Sequence, residues 1–176
     1  NGVDLNRLDH LTTEKSPFSM CNIGRVRYDK GCKELLDSFE KIGDTYPNST
    51  LTFIGQIDGP EEEQQIIKEL IRNHKYGTNI TVTGRIPFLD AMKIVAQKQV
   101  GLHAYSDCNY LRYNHVLKVG EYQALGTVPI AIKYPKAFLV SVMAGWDSAQ
   151  ILKRNIQEKH CAAAMWREFT TRIKQG

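Results

Sequence analysis

The sequence has little cysteine, no long apolar run and no secretion signal, and each shortage excludes a class of protein. Its four cysteines lie too far apart for a paired zinc knuckle, and Cys21 falls within an apolar stretch, as buried thiols in a reducing compartment do. No apolar stretch approaches the roughly 20 residues of a membrane span. The N-terminus lacks the charged and then apolar layout of a secretion signal. These shortages predict a cytoplasmic protein.

Charge of either sign is not concentrated in blocks. The chain has 23 Lys and Arg against 19 Asp and Glu, a net charge of +4 spread over its length. A nucleic-acid-binding arm would concentrate its cations, so no nucleic acid partner is expected. The last third is the most basic part, which we interpret as a solvated face, with contact to an acidic membrane surface as the alternative.

What the sequence does have is a regular alternation of strand and helix patterns. Strands are predicted at 18–24, 51–55, 79–83, 100–104 and 128–132, and helices at 31–42, from 60 to near 77, at 88–97 and at 114–125. This order predicts an α/β, Rossmann-like domain with a central parallel sheet flanked by helices on both faces. Helical patterns within 134–176 are expected to pack at the sheet edge, so that 1–176 forms one domain. Because Asn1 is not Met, we expect a piece of a longer protein.

Ligands of open parallel sheets collect at the carboxyl ends of the strands, which directs attention to the loop after Gly24. In that loop Arg25 and Lys30 stand before a second glycine, Gly31. Glycines let the backbone close on a ligand, and the two cations are candidates to converge on a diphosphate. The alternative is that both are solvated loop cations.

A second candidate site is the helix that opens near Asn114. Its free backbone amides favour an anion, and Lys118 adds a charge one turn later. Glu121 follows on the same face, where a carboxylate can accept both hydroxyls of a ribose. The alternative is an ordinary surface Lys–Glu pair. Among the histidines, His103 is predicted to be a packed core residue, and His115 either caps the helix or donates to a ligand oxygen.

The stretch KVGEYQALGTVPIA at 118–131 resembles the donor-site helix of family 4 glycosyltransferases with the GT-B fold. Gly24-Arg25 followed by Lys30-Gly31 is similar to that family's phosphate loop, and TGRIP at 83–87 to its base-contacting loop. NGVD at 1–4 looks like the hinge where the family's C-terminal domain begins. The resemblance covers about residues 1–132 and implies the C-terminal, nucleotide-sugar-binding half of a two-domain enzyme.

The resemblance implies a role for each matching residue. Arg25, Lys30 and Glu121 would be the catalytic set, with the cations on the donor diphosphate and the carboxylate on the ribose. The backbone around Arg85 and Ile86 would contact the base. The full donor-binding set is Gly24, Arg25, Lys30, Arg85, Ile86, Tyr113, Asn114, His115, Val116, Lys118 and Glu121. No metal ion and no prosthetic group is expected, because cations and a helix N-terminus stabilise the leaving diphosphate and no Asp-x-Asp is present.

Two features depart from the family pattern. Many members carry a Glu eight residues before the ribose Glu, where this chain has Tyr113. The segment after Ile132 lacks the glycine-rich loop and the Asp-Gly-x-x-Gly stretch of the family. The first departure leaves the donor sugar open, with Tyr110, Arg112 or the backbone near His115 as candidate contacts.

The sequence therefore predicts a retaining glycosyltransferase domain that binds a UDP- or GDP-linked sugar. The acceptor, a saccharide or a lipid-linked molecule, would bind to an N-terminal domain outside this chain, in a setting such as cell-surface polysaccharide assembly. The full-length enzyme would be cytoplasmic, with peripheral association at the inner face of the membrane as a further option. Two alternatives remain: a non-catalytic sensor or regulatory module that binds nucleotide phosphates, and a sugar-nucleotide epimerase.

Overall fold

A five-stranded sheet organises the chain in the computed structural model, which describes residues 7–11, 13–104 and 117–132. The elements follow the predicted alternation. They are β1 (Ser16–Ile23), α1 (Cys32–Thr45), β2 (Thr50–Ile54), α2 (Glu61–Arg72), β3 (Ile80–Val82), α3 (Phe88–Ala96), β4 (Lys98–Ala104), α4 (Leu117–Ala124) and β5 (Val128–Ile132).

The strand order is β3-β2-β1-β4-β5, and every neighbouring pair is parallel. The chain first builds outward from β1 through β2 to β3, and then returns to add β4 and β5 on the other side. The order therefore reverses between β1 and β4. At such a switch point the connections leave in opposite directions, and a crevice forms outside the carboxyl ends of the strands.

Two apolar clusters cover the two faces of the sheet. Successive side chains of a strand point to opposite faces, so Met20 enters the cluster beneath α1 and α2 while Cys21 enters the one beneath α3 and α4. Leu8 and Leu11 join the second cluster, together with Tyr122 of α4. The predicted parallel sheet with helices on both faces is thus confirmed.

Some local predictions were wrong. Helix α2 ends at Arg72 instead of continuing to near residue 77. Ile66 belongs to the apolar stripe of α2 but is 47% exposed, because the apolar face is centred on Ile67, which is fully buried. Leu70 and Ile71 lie partly buried on that face. The apolar stripe of α2 is wider than the surface that this helix buries, so the side chain at its edge stays in solvent.

Several expectations lie outside the described residues. They are the hinge at 1–4, the cap at Asn114 and the helices predicted within 134–176, so the extent of the domain stays a prediction. Among the helices that the structure describes, none is both long and apolar enough to cross a bilayer.

Candidate functional site

The loop from Gly24 to Gly31 starts at the carboxyl end of β1, beside the switch point. Both glycines have positive φ, 121° and 72°, which residues with a side chain rarely adopt. Between them Val26 is buried, and its N–H donates to the Gln56 carbonyl at 2.9 Å. The glycines therefore set the entry and the exit of the loop, and Val26 anchors its middle.

The loop after β2 braces this first loop. The Asp58 N–H donates to the Val26 carbonyl at 3.1 Å, and Glu63 Oε1 accepts the Tyr28 N–H at 2.9 Å. At Gly55 an added Cβ would lie 2.1 Å from the Gly24 carbonyl oxygen. The two loops are thus in backbone contact, which only glycine at position 55 allows.

Lys118 reaches this glycine turn from α4. A Cβ added to Gly24 would lie 3.7 Å from Lys118 Nζ. Burial and the positive charge of Lys30 lower the pKa of Lys118 to about 8, against the opposing effect of Glu121. The structure therefore brings together the two sequence motifs that were expected to meet, with an ammonium group placed against the backbone of the first loop.

Lys30 lies close enough to lower the pKa of Lys118, and both lysines lie close enough to His103 to lower the pKa of its imidazole. His103 is buried, as predicted, at the carboxyl end of β4. Burial lowers its pKa to about 4, and Lys118 and Lys30 act in the same direction. The imidazole is therefore neutral at pH 7, and the crevice holds two cations beside it.

Glu121 is half-buried on α4, three residues after Lys118. Burial raises the pKa of its carboxyl group, and Lys118 lowers it. Residues three apart on a helix are neighbours on one face, so the carboxylate and the ammonium belong to the same side of α4. This arrangement is compatible with a ribose beside a phosphate.

Arg25 contacts the neighbouring loop, and its convergence with Lys30 on a diphosphate stays a prediction. Its side chain is 67% exposed, and its Nη1 lies 3.2 Å from Asp58 Oδ2. Asp58 also lies 3.7 Å from Arg27 Nη1. In this structure the Arg25 guanidinium is therefore engaged by a carboxylate of the neighbouring loop.

The predicted base-contacting loop follows β3 and adjoins the same crevice. Thr83 Oγ1 accepts the Gly55 N–H at 3.1 Å and donates to the Gly84 carbonyl at 2.9 Å. Arg85 is exposed, and Ile86 packs at the margin of the second cluster. The loop after β3 is thus fastened to the loop after β2, and its contact with a base stays a prediction.

The other donor-site residues, Tyr113, Asn114, His115 and Val116, lie outside the described residues. Conversely, the structure identifies residues that the sequence did not single out: Tyr122, Asp58, Glu63 and Thr83. Tyr122 stood within the quoted motif without an assigned role, and Glu63 falls within the helix predicted from residue 60. The hydrogen bonds that tie them to other elements join residues 20 or more positions apart in sequence, so local pattern gave no signal.

Comparison with known structures places the fold among glycosyltransferases. The C-terminal domain of a group 1 glycosyl transferase (LpcC) from Francisella tularensis matches with a TM-score of 0.63 at 12% identity, over 90% of this chain and 98% of that one. The pneumococcal O-GlcNAc transferase GtfA, in complex with UDP and GlcNAc, matches at 0.58 and 16%, over 94% and 37%. Trehalose-6-phosphate synthase OtsA matches at 0.59 and 17%, over 99% and 50%.

The chain spans about a third to a half of the length of the two full enzymes, and at these identities the likeness shows the fold alone. A search of the curated proteins found no match. The family model for glycosyl transferases group 1 matches residues 7–138, which is more than half of the chain. The chain therefore belongs to the glycosyl transferases group 1 family, and its fold is that of the C-terminal, Rossmann-like domain of GT-B enzymes.

Proposed function

We propose that this domain binds the nucleotide diphosphate part of a UDP- or GDP-linked sugar and stabilises the leaving diphosphate during retaining glycosyl transfer. The observation that supports it most is the Lys118 ammonium against the Gly24 turn. A glycine at the end of a strand lets a phosphate approach the backbone, and a cation at the same point neutralises it.

The chemical role follows from where charge develops. As the bond between the anomeric carbon and the diphosphate breaks, negative charge builds on the diphosphate oxygens. Lys118 and Lys30 stand at the crevice before the reaction starts, so they need no rearrangement to stabilise that charge. Arg25 adds a third cation once it exchanges Asp58 for a phosphate oxygen.

The remaining parts of the donor are assigned by position. Glu121 accepts the ribose hydroxyls, and the loop around Arg85 and Ile86 receives the base. A solved relative of the same fold is complexed with UDP and GlcNAc, which supports a nucleotide sugar as the class of donor. Transfer itself requires an acceptor-binding domain beyond this chain, so the domain alone binds the donor without completing catalysis. We place the whole enzyme in the cytoplasm, with a saccharide or lipid-linked acceptor and peripheral membrane contact.

Calorimetry with UDP, GDP and the two nucleosides tests the proposal. We expect one of the diphosphates to bind, and Lys118→Gln to weaken it about 10- to 100-fold, as the loss of a charge-assisted hydrogen bond does. Lys98→Gln is the matched control, because Lys98 is a half-buried lysine with a lowered pKa at the opposite end of β4. Folded protein that binds neither diphosphate, or equal losses in the two variants, would contradict the proposal.

A non-catalytic nucleotide-binding module is the second candidate, favoured by Tyr113 where many family members have Glu. The two functions differ in their response to the sugar. An enzyme distinguishes a sugar nucleotide from the bare diphosphate, whereas a sensor of nucleotide phosphates binds both equally. The family match leaves the epimerase without support.

A further inference from the structure

The sheet splits at its switch point. Pairing between β1 and β4 ends at Cys21 and Gly101. Beyond this point β1 stays paired with β2 as far as Ile23, and β4 stays paired with β5 as far as Ala104. The two central strands therefore separate over their last residues, directly beneath the Gly24 turn.

Two side chains occupy the gap. The Tyr122 hydroxyl accepts the Ile23 N–H at 2.9 Å and donates to the Leu102 carbonyl at 3.2 Å, while Asn22 Nδ2 donates to the same carbonyl at 2.8 Å. Both side chains are buried. They take the place of ladder hydrogen bonds, so the strands stand apart without leaving these backbone groups unsatisfied.

The ring of Tyr122 fixes α4 over the split. A Cβ added to Gly101 would lie 2.4 Å from the ring carbons, so the ring occupies the space that a side chain would fill. Lys118 lies four residues earlier on α4, which is the same face one turn closer to the helix start. One residue thus contacts both strand ends and belongs to the helix that carries the ammonium.

We propose that Tyr122 is a positioning residue for the donor diphosphate: by joining α4 to the separated ends of β1 and β4, its hydroxyl sets the Lys118 ammonium against Gly24. The effect on diphosphate binding rests on the proposed function. The effect on the position of the Lys118 ammonium does not. Without the hydroxyl, the Ile23 N–H turns to the Leu102 carbonyl directly. The strands then close, Gly24 moves with Ile23, and the ammonium loses its place beside the turn.

The test compares Tyr122→Phe with Thr127→Val. Phenylalanine keeps the ring over Gly101 and removes only the hydroxyl. Thr127 is the matched control because it too has a buried hydroxyl, which donates to the Val95 carbonyl at 2.9 Å, just beyond the C-terminal end of α4. Thermal melts check that both variants fold, and the stability losses of the two should be comparable.

Two readouts separate positioning from general destabilisation. The first is the ratio of the affinity for UDP to that for uridine, measured again with GDP and guanosine. This ratio should fall about tenfold in Tyr122→Phe and stay constant in Thr127→Val. The second is the pKa of Lys118, followed by NMR of ¹³C-methylated lysines and assigned with Lys118→Arg. It should rise from about 8 toward its ordinary value when the amine leaves its buried position and the vicinity of Lys30.

An unchanged Lys118 pKa in Tyr122→Phe, or equal changes in both variants, would overturn the inference. If the wild-type domain binds neither diphosphate, the proposed function fails, and the Lys118 pKa still decides the positioning role. Should Tyr122→Phe not fold, Asn22→Ala removes the other hydrogen bond across the gap. It should shift the same pKa in the same direction by less, and no shift would equally overturn the inference.

Discussion

Nucleotide binding should depend on pH through Lys118. Its ammonium has a pKa of about 8, so the group is about 90% protonated at pH 7 and about 3% at pH 9.5. His103, with a pKa of about 4, is neutral over the whole range. The terminal phosphate of UDP has its second pKa near 6, so it is already about 90% ionised at pH 7 and changes little above that. Lys15 also has a pKa of about 8, but its ammonium donates to the Leu125 carbonyl and to Thr127 Oγ1, away from the Gly24 turn. Lys118 is therefore the site residue whose charge decides the profile.

The magnitude follows from the protonated fraction. If only the charged amine binds the diphosphate, the affinity for UDP falls about 30-fold between pH 7 and 9.5, or about 2 kcal/mol. UDP affinity is highest below pH 8 and falls as the pH rises, because the diphosphate binds the protonated Lys118 amine. By linkage, UDP binding at pH 8.5 should take up about three quarters of a proton.

Isothermal calorimetry at constant ionic strength, in two buffers of different ionisation enthalpy, measures the affinity at each pH and the number of protons taken up. GDP replaces UDP if it binds more tightly. Lys118→Arg is the control, because a guanidinium stays charged throughout the range. It should leave only the shallow pH dependence that ionisation of the nucleotide base causes at the top of the range. A flat profile in the wild type, or an equally steep one in Lys118→Arg, would refute the placement of Lys118 at the phosphates.

Three further substitutions test other parts of the site. Asp58→Asn should raise UDP affinity about two- to fivefold, because it releases Arg25 from an exposed ion pair worth up to about 1 kcal/mol; unchanged affinity in calorimetry would mean that Arg25 does not reach the phosphates. Gly55→Ala should abolish UDP binding and lower the melting temperature, since its Cβ would lie 2.1 Å from the Gly24 carbonyl and its φ is 151°. Glu121→Gln should reduce the preference for UDP over 2′-deoxy-UDP about tenfold, and an unaltered preference would remove Glu121 from the ribose.

The sequence was sufficient to predict the fold because its signals are local. Apolar runs of strand length end in glycine at Gly24 and Gly55, and each is followed by an amphipathic helix. Alternation of this kind allows few topologies, and in a parallel sheet all carboxyl ends share one edge. For that reason the proximity of Lys118 to the Gly24 turn was predictable without knowledge of any contact.

The orientation of individual side chains was not predictable in this way. Arg25 was expected to face a phosphate, but its partner Asp58 lies 33 residues away and becomes available only when two loops pack together. The role of Tyr122 depends on the separation of two strands, which hydrophobic pattern does not encode. Ile66 and Ile67 are equally apolar, and only the angle at which α2 meets the sheet decides which one is buried.

The backbone contact between the first two loops makes their mobility a shared property. The loop that begins at Gly55 supplies the hydrogen bonds that hold Val26, so local unfolding of 55–60 should also release the loop from Gly24 to Gly31. Amide exchange should therefore report a single opening event for both segments. A protease cut within 55–60 should abolish nucleotide binding at the crevice, although none of the residues assigned to the donor lies in that segment.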